Sequence, residues 1–226
     1  MSRRIGVLGG AFNPPHYGHL RPALEALEQL DLQQVLFLPS GGHPFKGVDL
    51  LAPARHRLEM TRLAIVGEPR FMLCDLEAKR TETSYTVETL AELRRVYADA
   101  EIFFLLGVDL FQELHLWRRW QSLIELAHLC VMMRPGFESL IQGTEAATFL
   151  EPYRVRGGES PAADGSGYHV LEVTPMEAQS RALRRRLAQG GSIRYLTPDT
   201  VIDYLTEHGL YQPATTSKPE QKTEST

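Results

Sequence analysis

The chain has 226 residues, of which 43% are apolar and 23% charged, and a formal charge of −4 at pH 7. That length supports one sizeable core, and the composition is that of an ordinary soluble globular protein. The acidic balance argues against a general nucleic-acid binder, and no apolar run reaches the length needed to cross a bilayer.

The N-terminal apolar stretch is too short for a signal peptide, and Cys74 and Cys130 both sit in apolar, strand-like runs. The expectation is a cytoplasmic protein whose thiols are core packing, with no membrane or nucleic-acid partner, present as a monomer or weak homo-oligomer. One domain is expected over residues 1–212. Residues 213–226 have no apolar content to bury and read as a disordered tail.

Arg4 to Leu8 is a short apolar run ended by Gly9-Gly10, which predicts a buried strand breaking into a tight turn. After Ala11-Phe12-Asn13-Pro14-Pro15-His16-Tyr17-Gly18-His19, residues Leu20, Ala23, Leu24, Leu27 and Leu30 recur at three- and four-residue steps, so a helix begins near Gly18. Strand, glycine turn and helix open a βαβ unit. The helix N-terminus then favours an anion, and Gly9 and Gly10 let backbone amides approach it. His16 and His19, three apart, project from one side of the first turn. A His-x-x-His pair can also hold a metal or serve structure alone; a structural zinc needs four ligands, and no suitable Cys or second His pair stands nearby.

Val35 to Pro39 is a second strand, followed by a Gly- and Ser-rich loop carrying Lys46 at the carboxyl edge of the sheet. Pro53 starts an amphipathic helix that ends at Gly67, with Arg55, Arg57, Glu59 and Arg62 on its polar face. Phe71 to Cys74 is the third strand. Ser84-Tyr85-Thr86 precedes Val87, Leu90, Leu93 and Val96, so a hydroxyl caps the third helix. Ile102 to Leu106 is the clearest strand, closed by Gly107-Val108-Asp109, where Asp109 is a candidate helix cap. Of the indoles that follow, Trp117 and Trp120, either can pack in a core or stack on a heterocycle.

His128 to Met133 is the fifth strand and runs into Arg134-Pro135-Gly136-Phe137. The stretch 152–167 reads as an exposed, mobile loop, and Tyr168 to Val173 as a sixth strand toward the sheet edge. Arg181, Arg184, Arg185 and Arg186 make a short cationic helix ending at Gly190-Gly191, a local cluster that suits a small polyanion. Asp199 to Leu205 is the last helix. The alternation predicts an α/β, doubly wound, mostly parallel sheet with the site along its carboxyl edge.

Gly10 to His19 resembles the G-x-F-[DN]-P-x-H-x-G-H signature of the nucleotidyltransferase superfamily, and its Asn-Pro-Pro form resembles bacterial nicotinate mononucleotide adenylyltransferases. Later matches are Pro44-Phe45-Lys46, Ser84 to Leu90, Gly107 to Asp109 with Trp117, Arg134 to Phe137, and Ser192 to Pro198. The resemblance implies a Rossmann-like fold and transfer of AMP from ATP to nicotinate mononucleotide, giving nicotinate adenine dinucleotide and pyrophosphate. Mg2+ would be held mainly by the ATP phosphates, with no metal site of the protein's own. By the same resemblance His16, His19, Lys46 and Arg184 form the catalytic set, with a protonated histidine favoured beside phosphate. Gly9, Gly10, Ala11, Phe12, Arg134, Ser180 and Arg181 join His16, His19 and Arg184 around ATP. Asn13, Lys46, Ser84, Tyr85, Thr86, Asp109 and Trp117 receive the mononucleotide, Asp109 at its ribose and Trp117 at its ring.

One segment departs from the family. Where the family has Ile-Ser-Ser-Thr-x-Ile-Arg, this chain reads Ala178 to Arg184, keeping Ser180, a conservative Leu183 and Arg184, with Arg181 at the threonine's place. Arg181 is expected to take over part of the triphosphate contact. The alternatives are a sister transferase with another acceptor such as phosphopantetheine, and a nucleotide-binding protein without turnover.

Overall fold

A computed structural model of the chain describes residues 3–41, 51–155 and 167–212. Lys46, residues 156–166 of the expected loop and the tail from 213 lie outside the described residues.

Six strands, β1 (Arg3–Gly10), β2 (Gln34–Pro39), β3 (Phe71–Leu73), β4 (Ala100–Gly107), β5 (His128–Met133) and β6 (Tyr168–Glu172), form one sheet in the order β3-β2-β1-β4-β5-β6. All of these neighbours pair in parallel. The chain first winds from β1 out to β3, then returns to the other side of β1 and winds out to β6. The order therefore reverses between β1 and β4, and a parallel sheet of this kind opens its ligand crevice at the carboxyl ends of those two strands.

Parallel strands are covered on both faces, which is why these read as unbroken apolar runs rather than as alternations. Phe103 and Leu105 point to one face, where they join Leu20, Ala23 and Leu27 of α1 (Tyr17–Gln29), Met60 of α2 (Ala54–Ile65), Leu183 of α7 (Ser180–Ala188) and Val201 of α8 (Asp199–Glu207). Ile102, Phe104 and Leu106 point to the other. There they meet Val87, Leu90 and Leu93 of α3 (Thr86–Val96), Phe111 of α4 (Val108–Gln112), Leu123 of α5 (Leu123–Leu126) and Leu150 of α6 (Glu145–Leu150).

Several local expectations are corrected. Gly9 and Gly10 do not form a tight turn: they are the last rungs of β1, paired with Leu38 and Pro39, and the chain turns over Ala11 to Pro15. No hydroxyl caps α3; its N-cap is Tyr85, without a side-chain bond. Gly107, not Asp109, is the N-cap of α4. Arg57 is not on a polar face, being only 2% exposed. Cys130 is fully buried and Cys74 half-buried, both as free thiols, and burial pushes the Cys130 thiol up.

At the amino edge of the sheet, opposite the crevice, His128 begins β5 and His169 is the second residue of β6, with ring nitrogens 3.4 Å apart. His128 lies flat on Phe103, centroids 4.3 Å apart. Burial, with His128 and Arg4 close by, lowers the His169 pKa to about 4.

Candidate functional site

The loop from Ala11 to Pro15 is held from several directions. Phe12 is buried at a φ of 45°, a left-handed conformation that a bulky residue keeps only when its surroundings impose it. From α2, the Arg57 guanidinium donates to the carbonyls of Ala11 at 2.9 Å, Gly41 at 3.0 Å and Ala52 at 3.0 Å. The Asn13 carboxamide oxygen accepts from the Ala52 amide at 3.0 Å and from the Tyr211 hydroxyl. From α7, Arg184 Nη1 donates to the Asn13 carbonyl at 2.7 Å and Ser180 Oγ to the Pro14 carbonyl at 2.9 Å. Thr197 Oγ1 donates to the Pro15 carbonyl at 2.8 Å. Sequence elements more than 150 residues apart thus converge on five loop residues, and the rigidity this confers is what a preorganised donor array requires.

α1 starts directly behind this loop. His16 is its N-cap, and His19 stacks on it, with ring centroids 3.8 Å apart. His19 Nδ1 accepts from the His16 amide at 3.3 Å, and the edge of the Phe12 ring meets His19 at 5.1 Å. Gly18 is fixed by contact: a Cβ there would lie 2.7 Å from the Ala178 carbonyl oxygen and 2.9 Å from His16 Nδ1. The first amide of the helix, that of Tyr17, donates to the Leu196 carbonyl at 3.0 Å and is not offered to a ligand.

His16 is buried, and among the described residues its Nδ1 has no hydrogen-bond partner, a configuration that costs on the order of 1–3 kcal/mol and concentrates at functional sites. Burial lowers its pKa to about 4, because the packed surroundings disfavour the charged ring. The same shift makes a stability prediction. Folded His16 and His169 bind a proton only near pH 4, whereas unfolded histidine binds one near 6.5, so the unfolded chain holds more protons in between. Stability is full above about pH 6.5 and falls as pH drops toward 4, by roughly 2–3 kcal/mol from His16 alone. Urea midpoints at pH 7.5 and 4.5 are expected to differ, and to differ less in His169→Gln. Equal wild-type midpoints would show that these rings are wetter than their packing implies.

On one side of the motif lies a cavity of about 610 Å³ at the ends of β1 and β2. It brings together Gly9, Gly10, Ser84, Tyr85, Thr86 and Trp117, all named from the sequence. Trp117 is half-buried with its edge on Phe104 at 6.3 Å, whereas Trp120 is buried against Phe149 and is core. The Ser40 and Ser84 hydroxyls are buried there without hydrogen-bond partners among the described residues. Sequence reading missed Ser40, Glu77 and Arg118 on these walls. Glu77 accepts from Thr89 Oγ1 at 2.7 Å, and its burial raises its pKa. Arg118 lies over the Tyr85 ring at 4.5 Å. These three follow or precede turns with no periodic signal.

A second hollow, of about 420 Å³, lies on the other side, between the end of β4 and the start of α1. Gly18, Gly107, Asp109, Arg134 and Gln179 line it. Its wall beyond β6 is held by Glu25, 8% exposed, which accepts from the Thr174 amide at 2.6 Å. Asp109 is therefore not among the residues around Trp117 but opens onto this hollow with Arg134. Asn13, expected to face the mononucleotide, is 1% exposed and bonds to the surrounding chain. Arg181 is exposed on α7 beside Arg184.

One hollow beside Gly10 and another beside Gly18, with the stacked histidines and the Arg184-bonded loop between those two glycines in the chain, suit two ligands that meet at phosphate. Residues 7–186 match the Cytidylyltransferase-like family. The chain is also 38% identical over 216 residues to a probable nicotinate-nucleotide adenylyltransferase of Pseudomonas fluorescens, covering 94% of this chain and 99% of that one. The chain belongs to the nicotinate-nucleotide adenylyltransferase family. A relative of the same description from Geobacter metallireducens is 38% identical over 213 residues, covering 92% and 98%. The nicotinic acid mononucleotide adenylyltransferase of Plasmodium falciparum complexed with NaAD superposes with a TM-score of 0.68 at 19% identity, covering 92% of this chain and 97% of that one. A nicotinate-nucleotide adenylyltransferase structure from Vibrio parahaemolyticus superposes at 0.61 and 21% identity, covering 94% and 97%. At those identities the two structures establish the shared Rossmann-like nucleotidyltransferase fold.

Proposed function

We propose that the protein transfers AMP from ATP to nicotinate mononucleotide, forming nicotinate adenine dinucleotide and pyrophosphate in NAD biosynthesis. The observation that carries this reading is the stacked His16–His19 pair at the start of α1, directly behind the loop whose Asn13 carbonyl receives Arg184, with one hollow at Gly10 and another at Gly18. An oxygen of the mononucleotide phosphate attacks the α-phosphorus of ATP, and the bond to the bridging oxygen breaks, so pyrophosphate leaves with the electron pair. The nucleophile is already an anion at neutral pH, and no general base is required. Catalysis then rests on alignment and on donors placed where charge develops.

The mononucleotide occupies the 610 Å³ cavity, its ring against Trp117 and its polar substituents near Ser84, Tyr85 and Thr86. ATP lies on the side of Gly18, Asp109 and Arg134. Asp109 there meets a ribose hydroxyl of ATP rather than of the mononucleotide. His16, His19 and Arg184 face the phosphates, Ser180 holds the loop, Arg181 adds charge at the same end, and Lys46 supplies a further cation. Mg2+ would come with ATP, held mainly by its phosphates. The ion supplies charge neutralisation on the triphosphate, and the protein's own share is positioning and hydrogen bonding.

The test is pyrophosphate release from ATP with each of nicotinate mononucleotide, nicotinamide mononucleotide and phosphopantetheine. Turnover is expected with the first, and turnover with phosphopantetheine alone would overturn the reading. Ring placement has its own measurement. Quenching of tryptophan fluorescence by the mononucleotide is expected to disappear in Trp117→Ala and to persist in Trp120→Phe, with the lost stacking contributing on the order of 1 kcal/mol. The reverse pattern would transfer the role to Trp120.

A further inference from the structure

The last described turn of the chain reaches back to the first motif. After α8 the chain passes through Gly209 at a φ of 58° and Tyr211 at 59°. Glycine takes that conformation freely, whereas a tyrosine pays roughly 1 kcal/mol for it, so the contacts of Tyr211 must hold it there. Those contacts are specific. Its hydroxyl donates to the Asn13 carboxamide oxygen, on the residue whose carbonyl receives Arg184 Nη1 at 2.7 Å. The guanidiniums of Arg184 and Arg57 are both close enough to act electrostatically on its phenolic oxygen. Asn13 itself is 1% exposed, so each bond it accepts is made away from competing water.

We propose that Tyr211 is a positioning residue for adenylyl transfer: by holding the Asn13 carboxamide it fixes the backbone carbonyl that aims Arg184 at the phosphates. This rests on the reading that the phosphates lie against His16, His19 and Arg184. The physical argument is geometric. Arg184 is a flexible side chain on a short helix, and its useful orientation is set by the acceptor at its Nη1. That acceptor turns with Asn13, whose side-chain oxygen accepts from the Ala52 amide and from the Tyr211 hydroxyl. Removing the hydroxyl leaves the ring in place and takes away the hold that Tyr211 has on Asn13.

Tyr211→Phe keeps the ring and is expected to retain the wild-type melting temperature within a few degrees. Its kcat is expected to fall about tenfold, the scale of one buried hydrogen bond, while KM for ATP changes less than about twofold, since the loss falls on charge developing in the transfer. The decisive measurement is the double-mutant cycle with Arg184→Ala. If the tyrosine acts through Arg184, Tyr211→Phe adds less than about twofold in the Arg184→Ala background. An equal factor in both backgrounds means the hydroxyl merely stabilises the loop and overturns the proposal. Arg184→Ala impaired with Tyr211→Phe at wild-type turnover overturns the role of Tyr211 alone. Arg184→Ala at wild-type turnover removes the phosphate reading at that end of the site, and the proposal with it.

Discussion

His19→Ala is expected to lower the rate of pyrophosphate release at least about a hundredfold, the scale of a lost transition-state donor, in a protein whose circular dichroism is unchanged. The geometry says which atom is lost. Because His19 Nδ1 accepts from the His16 amide at 3.3 Å, Nε2 is the ring nitrogen left to donate. The stacked His16 and the edge of Phe12 hold the ring plane, so the donor is fixed before substrate arrives. His19→Gln restores an amide donor at similar reach and is expected to recover part of the rate. His19→Ala turning over at the wild-type rate while folded would remove His19 from the chemistry.

The fold was legible because burial on both faces writes itself into a parallel strand. Ile-Phe-Phe-Leu-Leu at 102–106 can be nothing else when flanked by helical periods, and the six expected strands are the six observed. Boundaries and short elements were less legible. α4, α5 and α6 span between four and six residues, too few for a helical period to declare itself. Gly9-Gly10 read as a turn because glycine so often breaks strands. Here the end of β1 instead needs a bare surface: a Cβ on Gly10 would come within 3.3 Å of the Phe12 ring.

The site was half legible for a related reason. Residue types chosen for a ligand, such as the two histidines and Trp117, announce themselves in a pattern. Groups that act through backbone carbonyls do not, since any residue supplies a carbonyl. Hence Ser180, Arg184 and Thr197 gave no hint of the carbonyls of Pro14, Asn13 and Pro15 they would seek. Asp109 was carried over with Trp117 by the resemblance, and the structure has it line the hollow with Arg134 while the indole lines the other one.

Arg57 is the largest of these silent residues, and its replacement carries the largest expected loss of stability. It read as one more charge on an amphipathic helix, yet it is 2% exposed, and its burial lowers its pKa. Three donors go to three carbonyls, that of Ala11 in the motif loop and those of Gly41 and Ala52 at the two ends of the β2–α2 connection, which no common ladder satisfies. Arg57→Met keeps most of the volume and removes all three charge-assisted bonds, leaving three shielded acceptors. The expected loss is roughly 3–5 kcal/mol, or a fall in melting temperature on the order of 10 °C for a chain of this size. Arg57→Lys is expected to recover little, because an ammonium is a point charge and cannot match the fork that reaches three directions. Gly41 adds a second constraint: a Cβ there would lie 2.4 Å from the Glu77 carbonyl oxygen, so the loop cannot shift inward to fill the space. Urea melts of the two variants at pH 7.5 decide the matter. Midpoints equal to wild type would mean that water satisfies those carbonyls as well as the guanidinium does, and that the motif loop owes its shape to Asn13 and α7 instead.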